Sequence, residues 1–430
     1  MRTDRLAKAA RLAPNLDRLA RSATVFTQAF TNGPYTKAAM PALLYSAHYS
    51  AFLVRRGEPG FRSLPERLRE GGFTTMAVQT NAYLASAFGW GRGFDHYDES
   101  ILPWLSLTPK VRLERQLGEK RGKERLRGAL ERALLYLLYC KGAVDCRTVN
   151  RKFRALLRRV FRPGRPHFAL LHYMDLHEPV VLPRSLRRGL PRLHPHRVSE
   201  RAHASPQTLT GQEWRFLQGS YDAALSLVDS ELGRLLADPR VAEFVEDALL
   251  IVTADHGEEL GERGRYGHHT RFYESLLRVP LVIKLPGQNA GRTTDALVCH
   301  LDVAPTVLEA CGIGADADLA GRSLLGQVCG HVALEERPVI AEALLAGREW
   351  TLAVRTRRHK LIEATRELFD LEADPEERVN LYGREPELVA QLEAILAAHR
   401  RQARPPGVVI ESDLVNQRLR ERLRGLGYLE

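Results

Sequence analysis

The sequence predicts an α/β fold built on a largely parallel sheet, followed by a small antiparallel α+β unit. Three observations carry that expectation. Short strand-like runs alternate with helical stretches over most of the 430 residues, the pattern of a parallel sheet with crossover helices. One run, Leu249-Leu250-Ile251-Val252-Thr253, is apolar and β-branched, as suits a strand buried on both faces. After Arg337 the texture changes to short strands at close spacing, the signal of a small antiparallel sheet. With 44% hydrophobic residues the chain can fill one large core plus a smaller unit.

In chain order, Pro14-Asn15-Leu16-Asp17-Arg18-Leu19-Ala20 reads as a helix start, with Pro near the first helical position. Residues 23–30 read as a strand broken by Thr31-Asn32-Gly33-Pro34. Thr36 can then cap a helix through Met40 to Tyr45, with Pro41 limiting where its first turn lies. Residues 73–78 form a strand after a Gly-Gly turn, and residues 105–160 are helical by composition. A strand at 168–174 ends in Asp175-Leu176-His177-Glu178-Pro179, and an amphipathic helix covers 214–236. The 249–253 strand follows, then another at 279–283 closed by Leu285-Pro286-Gly287. Beyond Arg337, strands at 338–341, 350–355 and 359–362 precede a helix at 386–399 and a basic helical tail at 414–426.

The net charge of +11 is unevenly placed. Residues 110–165 hold 18 Lys/Arg against 5 Asp/Glu, a local +13 that leaves the remainder at −2. This segment reads as a solvated helical insertion, with peripheral contact to an anionic surface as the functional alternative and no nucleic acid expected. The five cysteines are scattered, odd in number and without zinc spacing, which argues for reduced thiols. No run of 18 apolar residues appears, and the basic start Met1-Arg2-Thr3-Asp4-Arg5 lacks the apolar stretch of a secretory signal. The expected location is therefore cytoplasmic.

The 249–253 strand ends abruptly in Asp255-His256-Gly257. In open α/β sheets ligands gather at the carboxyl ends of strands. An Asp-His pair there offers a metal one hard oxygen and one imidazole nitrogen. Gly257 permits a close approach that a Cβ would obstruct. Taken alone, the triplet reads equally well as a polar turn.

Other motifs line up with it in order. They include Pro14-Asn15-Leu16-Asp17-Arg18-Leu19-Ala20, Gly93-Phe94-Asp95, His172-Tyr173-Met174-Asp175-Leu176-His177-Glu178-Pro179 and Thr253-Ala254-Asp255-His256-Gly257-Glu258. Tyr273-Glu274, Arg278-Val279-Pro280-Leu281, Asp302-Val303-Ala304-Pro305-Thr306, Lys360-Leu361-Ile362 and Glu367-Leu368-Phe369-Asp370 continue the series. The set resembles the sulfatase family of the alkaline-phosphatase superfamily over nearly the whole chain. The resemblance implies an α/β/α sandwich and hydrolysis or transfer of sulfate or phosphate esters. A nucleophile at a helix N-terminus would attack while a divalent cation, calcium first and magnesium or manganese as alternatives, holds the oxyanion. It puts Asp255 and His256 in the metal site and His177 at the leaving-group oxygen. His269, or its neighbour His268, takes the place of a cationic sulfate-binding residue. Read without the resemblance, His177 is a turn histidine beside Pro179, and His268 and His269 are loop residues.

Three departures from the family pattern bear on activity. Where a Cys or Ser nucleophile is expected, Thr36-Lys37-Ala38-Ala39-Met40 stands, so a formylglycine nucleophile is not expected. Thr36 is then either a metal-bound nucleophile or a helix cap, and Lys37 a partial substitute for the family arginine, replaced here by Met40. Where Lys and His are often found, Gln79-Thr80-Asn81-Ala82-Tyr83 leaves Asn81 as the substrate contact, with a turn role as the alternative. The family's first apolar strand and its metal-binding Asp have no counterpart, since Asp4 matches a later acid. The expectation is that the reading frame begins upstream, with loss of the strand as the alternative.

The sequence thus predicts a sulfatase-like, metal-dependent ester hydrolase. Its core would span 1–335, with a basic insertion at about 105–165, and the C-terminal subdomain 336–430. A catalytically silent binding protein on the same fold is the second reading, and a phosphoryl-group transferase on lipid or glycan the third.

Overall fold

The structure is a computed structural model and describes residues 1–6, 9–58, 60–100, 145–314, 317–330, 334–344 and 349–402. Most of the basic insertion, Cys140 and the 414–426 tail lie outside these residues. The strands are β1 (Thr24–Phe30), β2 (Thr74–Val78), β3 (His96–Asp98), β4 (His167–Leu171), β5 (Leu250–Thr253), β6 (Glu259–Leu260) and β7 (Tyr266–Gly267). They continue with β8 (Leu281–Lys284), β9 (Arg292–Cys299), β10 (Val339–Leu344), β11 (Trp350–Arg355), β12 (His359–Ile362) and β13 (Glu367–Asp370).

The mixed α/β architecture agrees with the sequence. One sheet has the order β5-β8-β1-β9 and another the order β3-β2-β4. The pairings of β1 with β9, and of β2 with β3 and β4, are parallel, which makes the core mostly parallel. β8 is the exception, running against both β1 and β5. The approach to it explains the reversal. The Gly257 and Glu258 amides bond back to Leu276 and Ser275 carbonyls, so the chain returns alongside β5 without a crossover helix. The β4 strand stops at Leu171, three residues short of the sequence expectation, and frees His172-Tyr173-Met174 for the loop beyond the sheet.

Helices cover both faces of the core. On one side, Val149, Phe153 and Leu157 of the Cys146–Val160 helix pack with Met76, Val78, Leu235 and Val241. On the other, Leu64 and Leu68 join Val303, Val307 and Leu308 against Phe26, Ile283 and Val298. The C-terminal sheet runs β10-β11-β12-β13, antiparallel throughout. Strand alternation divides its side chains. Ala341, Ala353, Ile362 and Phe369 meet Phe30, Tyr273 and Leu297 of the core. Leu352, Val354, Leu361 and Leu368 meet Val389, Leu392 and Leu396 of the Pro386–Gln402 helix. The sheet is thus buried on both faces. Among the described residues no helix is long and apolar enough to cross a membrane.

Candidate active site

The Thr36–Tyr45 helix follows β1 and aims its N-terminus at the end of β5. Its N-cap is Tyr35, whose side chain makes no capping bond, and Thr36 is the first helical residue. The capping role read from sequence is therefore not what Thr36 does. Its hydroxyl donates to Asp255 Oδ2 at 2.8 Å and accepts from Asn81 Nδ2 at 3.2 Å. The first amides of the helix have no intrahelical acceptor, so Thr36 sits in the positive field of a helix end. Pro41 is tolerated inside this ten-residue helix at the loss of one ladder bond.

Asn81 makes the turn contact that sequence offered and also reaches Thr36. Its Oδ1 accepts from the Tyr83 amide at 2.9 Å, a turn contact that orients the side-chain amide so that Nδ2 points at Thr36. Lys37 turns elsewhere, its Nζ lying 4.2 Å from the centre of the Tyr83 ring.

Asp255 and His256 are held rigidly. The Asp255 Oδ1 accepts from the His256 amide at 3.0 Å. The His256 Nδ1–H donates to the Gly257 carbonyl at 2.8 Å, which leaves Nε2 with a free lone pair. That Nε2 lies 3.4 Å from Thr36 Oγ1 and 3.5 Å from Asp255 Oδ2. Gly257 is required by close approach: a Cβ there would stand 1.9 Å from the Ser275 carbonyl oxygen.

The three donor atoms test whether a metal fits. An ion with bonds of about 2.1–2.4 Å separates adjacent ligands by about 3.0–3.4 Å, close to the triangle formed by Thr36, Asp255 and His256. Their protonation suits the same task. Burial works to raise the Asp255 carboxyl, but the His256 and His172 imidazoles and the Thr36 hydroxyl hold it well below the ordinary carboxylate range. Burial, more than the Asp255 charge, decides His256 and keeps its imidazole neutral. One carboxylate, one neutral imidazole and one hydroxyl are donor types that a divalent cation can use.

His268 and His177 lie beside these donors. The His268 ring centre lies 4.4 Å from that of His256 and 4.7 Å from that of His177. The His268 Nδ1–H donates to Glu258 Oε1 at 3.0 Å. Burial alone would lower its pKa, but the Glu258 carboxylate outweighs it and lifts the value to about 9. His269 points away and bonds His203, which in turn bonds Glu178. Burial and the nearby Arg271 bring His269 down to about 4. Two neighbours in sequence thus differ, one cationic within the cluster and one neutral at the rim. His177 is half-buried beside His268, and its Nδ1–H donates to the Glu178 carbonyl at 2.5 Å.

Sequence reasoning assigned no role to His172, His300 or Glu258. His172 follows β4 and His300 follows β9, both close enough to feel the Asp255 charge, and burial keeps each imidazole below its ordinary pKa. The available signal was their position just past the carboxyl ends of strands parallel to one another within each sheet. Glu258 carried no such signal, because its partner His268 is ten residues away across the β6–β7 turn.

With the site in view, comparison with known proteins is informative. Residues 6–313 match the Sulfatase family, and residues 261–402 match "N-sulphoglucosamine sulphohydrolase, C-terminal". A sulfatase of Formosa agariphila is 30% identical over 171 residues, covering 39% of this chain and 33% of that protein. A choline-sulfatase of Rhizobium meliloti is 33% identical over 180 residues, covering 40% and 34%. The alignments therefore span about a third of the length of these curated relatives. A phosphonate monoester hydrolase from Silicibacter pomeroyi has the same fold, with a TM-score of 0.72 at 21% identity and 95% of each chain covered. The family match takes in most of the chain and runs through the helix of Thr36 and the strand of Asp255, and on it the protein belongs to the sulfatase family.

Proposed function

We propose that this chain is a metal-dependent hydrolase of sulfate or phosphate esters that attacks with the Thr36 hydroxyl instead of a formylglycine. The observation that carries the reading is the placement of Thr36 Oγ1 at a helix N-terminus, between Asp255 and Asn81. The fold family implies a divalent metal ion, and Thr36, Asp255 and His256 would hold it. Calcium suits the two oxygens, and the single imidazole nitrogen admits manganese or magnesium. When bound, the ion supplies positive charge that favours ionisation of the hydroxyl and balances the developing oxyanion.

The residues present then have separable tasks. Asp255 Oδ2 takes the Thr36 proton as Oγ1 forms the bond to sulfur or phosphorus, and a water then cleaves that Thr36 ester, releasing sulfate or phosphate and restoring the hydroxyl. Asn81 Nδ2 holds Oγ1 in register and steadies its charge as the O–H is lost. The bond to the leaving oxygen breaks as this bond forms. Cationic His268 binds the anionic ester and is the better proton donor to the leaving oxygen. His177, with Nδ1–H committed to a carbonyl and its pKa lowered by burial, presents Nε2 as an acceptor that orients a leaving-group or water O–H. His269 and Lys37 lie farther out and contact the remainder of the substrate. A small molecule or a glycan ester fits this arrangement, with 1–335 as the catalytic core and 336–430 as its support.

The test is hydrolysis of an aryl phosphate and an aryl sulfate, with and without added divalent metal, by wild type, Thr36→Ala and Asp255→Ala. Metal-dependent turnover lost in both variants is expected. Equal turnover in all three proteins would reject the site, and no turnover above background in any would leave a non-catalytic binding protein.

A further inference from the structure

A second cluster of metal-ligating side chains lies outside the Thr36–Asp255 site. Among the described residues, His48, Glu342 and His399 bring one ligand atom each within 4.8 Å of one another. They come from three distant elements. His48 is the N-cap of the Tyr49–Arg55 helix, Glu342 is in β10, and His399 is near the end of the Pro386–Gln402 helix. We propose that these three residues form a zinc-class site that clasps the C-terminal sheet and its helix to the core beside the Thr36 helix.

The geometry favours an ion over a simple ion pair. Glu342 is fully buried. Its carboxylate accepts from the Ser50 amide at 2.6 Å, the Ser50 hydroxyl at 2.9 Å and His399 Nε2 at 2.6 Å. The His399 ring is 4.5 Å from that of His48. His48 Nδ1 is buried yet has no hydrogen-bond partner, an unusual state for a polar atom. An ion pair explains His399 and Glu342 but leaves His48 Nδ1 orphaned. A metal employs all three.

The donor set also selects the ion. Two imidazoles and one carboxylate suit zinc and its transition-metal neighbours and offer too few oxygens for calcium. Tetrahedral bonds of about 2.1 Å place ligand atoms about 3.4 Å apart. The 2.6 Å His399–Glu342 contact must open slightly, and the widest separation, at most 4.8 Å, must close by about 1.4 Å. The two Ser50 bonds hold the carboxylate from behind, the supporting contact expected of a metal ligand. Water completes the fourth position.

The experiment compares wild type, Asp255→Asn, His48→Ala and His399→Gln. Each full chain is stripped with chelator and titrated with zinc chloride, following bound metal by mass spectrometry and thermal unfolding by circular dichroism. Asp255→Asn should keep one tightly bound zinc and a zinc-dependent rise in Tm. Placed in the Asp255→Asn background, His48→Ala and His399→Gln should lose both, with affinity weakened at least about 100-fold. Should either cluster variant fail to fold, cobalt(II) substitution in Asp255→Asn gives a second reading. A tetrahedral visible spectrum supports the site, and an octahedral one or no uptake overturns it. Equal zinc binding by Asp255→Asn with and without His48→Ala, or no zinc on Asp255→Asn, would also overturn it.

Discussion

Replacing Thr36 by Val separates catalysis from architecture at the residue that matters most. Valine keeps the β-branched shape at this 5%-exposed position and removes only the hydroxyl. Two contacts vanish, the 2.8 Å bond to Asp255 and the 3.2 Å bond from Asn81. A hydrogen bond to a charged group contributes about 1.5–3 kcal/mol. If the hydroxyl merely orients Asp255, that loss bounds the effect at about 10–100-fold in kcat/KM. Removing a covalent nucleophile is far more damaging, on the order of 10³-fold or greater. The assay is metal-supplemented turnover of 4-nitrophenyl phosphate and 4-nitrophenyl sulfate, with thermal unfolding to confirm the fold. Thr36→Ser should restore most of the rate, since it returns the oxygen. A Thr36→Val enzyme within about 100-fold of wild type would refute the nucleophile and leave Thr36 a positioning residue.

Other outcomes follow from the same geometry. Asp255→Asn should abolish the response of turnover to added metal and cut kcat/KM by at least about 10²-fold, read by titrating metal into chelator-treated enzyme. His268 has a folded pKa near 9 against an ordinary 6.5, so its cation survives neutral pH and is lost as pH rises through about 9. Wild-type kcat/KM should fall across that alkaline range, and the limb should be absent in His268→Gln. By the same sign, the stability contributed by this group is complete below about pH 6.5 and disappears as pH rises through about 9. Gly257→Ala should destabilise the chain by about 1–3 kcal/mol or more, because its Cβ meets a backbone oxygen that cannot swing aside. A chemical melt unchanged from wild type would contradict that contact. Lys360 is fully buried and ion-pairs with Glu274 at 3.1 Å and with Glu377. Lys360→Met should cost about 3–5 kcal/mol by removing the cation shared by two carboxylates, whose remaining partners Arg355 and Arg263 stand farther off at 3.5 and 3.8 Å, and denaturant titration will register it.

Much of this protein is legible from local chemistry. The β5 strand, its terminal Asp255-His256-Gly257, the strand of residues 24–30 and the Thr36 helix are all readable because hydrophobic period and glycine placement act over a few residues. Ordered motifs then identify the family, since a row of short patterns in sequence order needs no coordinates. What Thr36 does was not readable. A threonine at a helix start caps or reacts depending on which group faces it, and Asp255 is 219 residues away. The choice between His268 and His269 was equally closed to sequence. Adjacent residues on one loop look alike until Glu258 is seen to pair with one and His203 with the other. The reversed β8, the flanking His172 and His300, and the His48–Glu342–His399 cluster belong to the same class. Local propensity determines elements and where polar residues interrupt them. Protonation, tautomer and metal geometry depend on burial and on charges within a few ångströms, and only the folded chain brings those together.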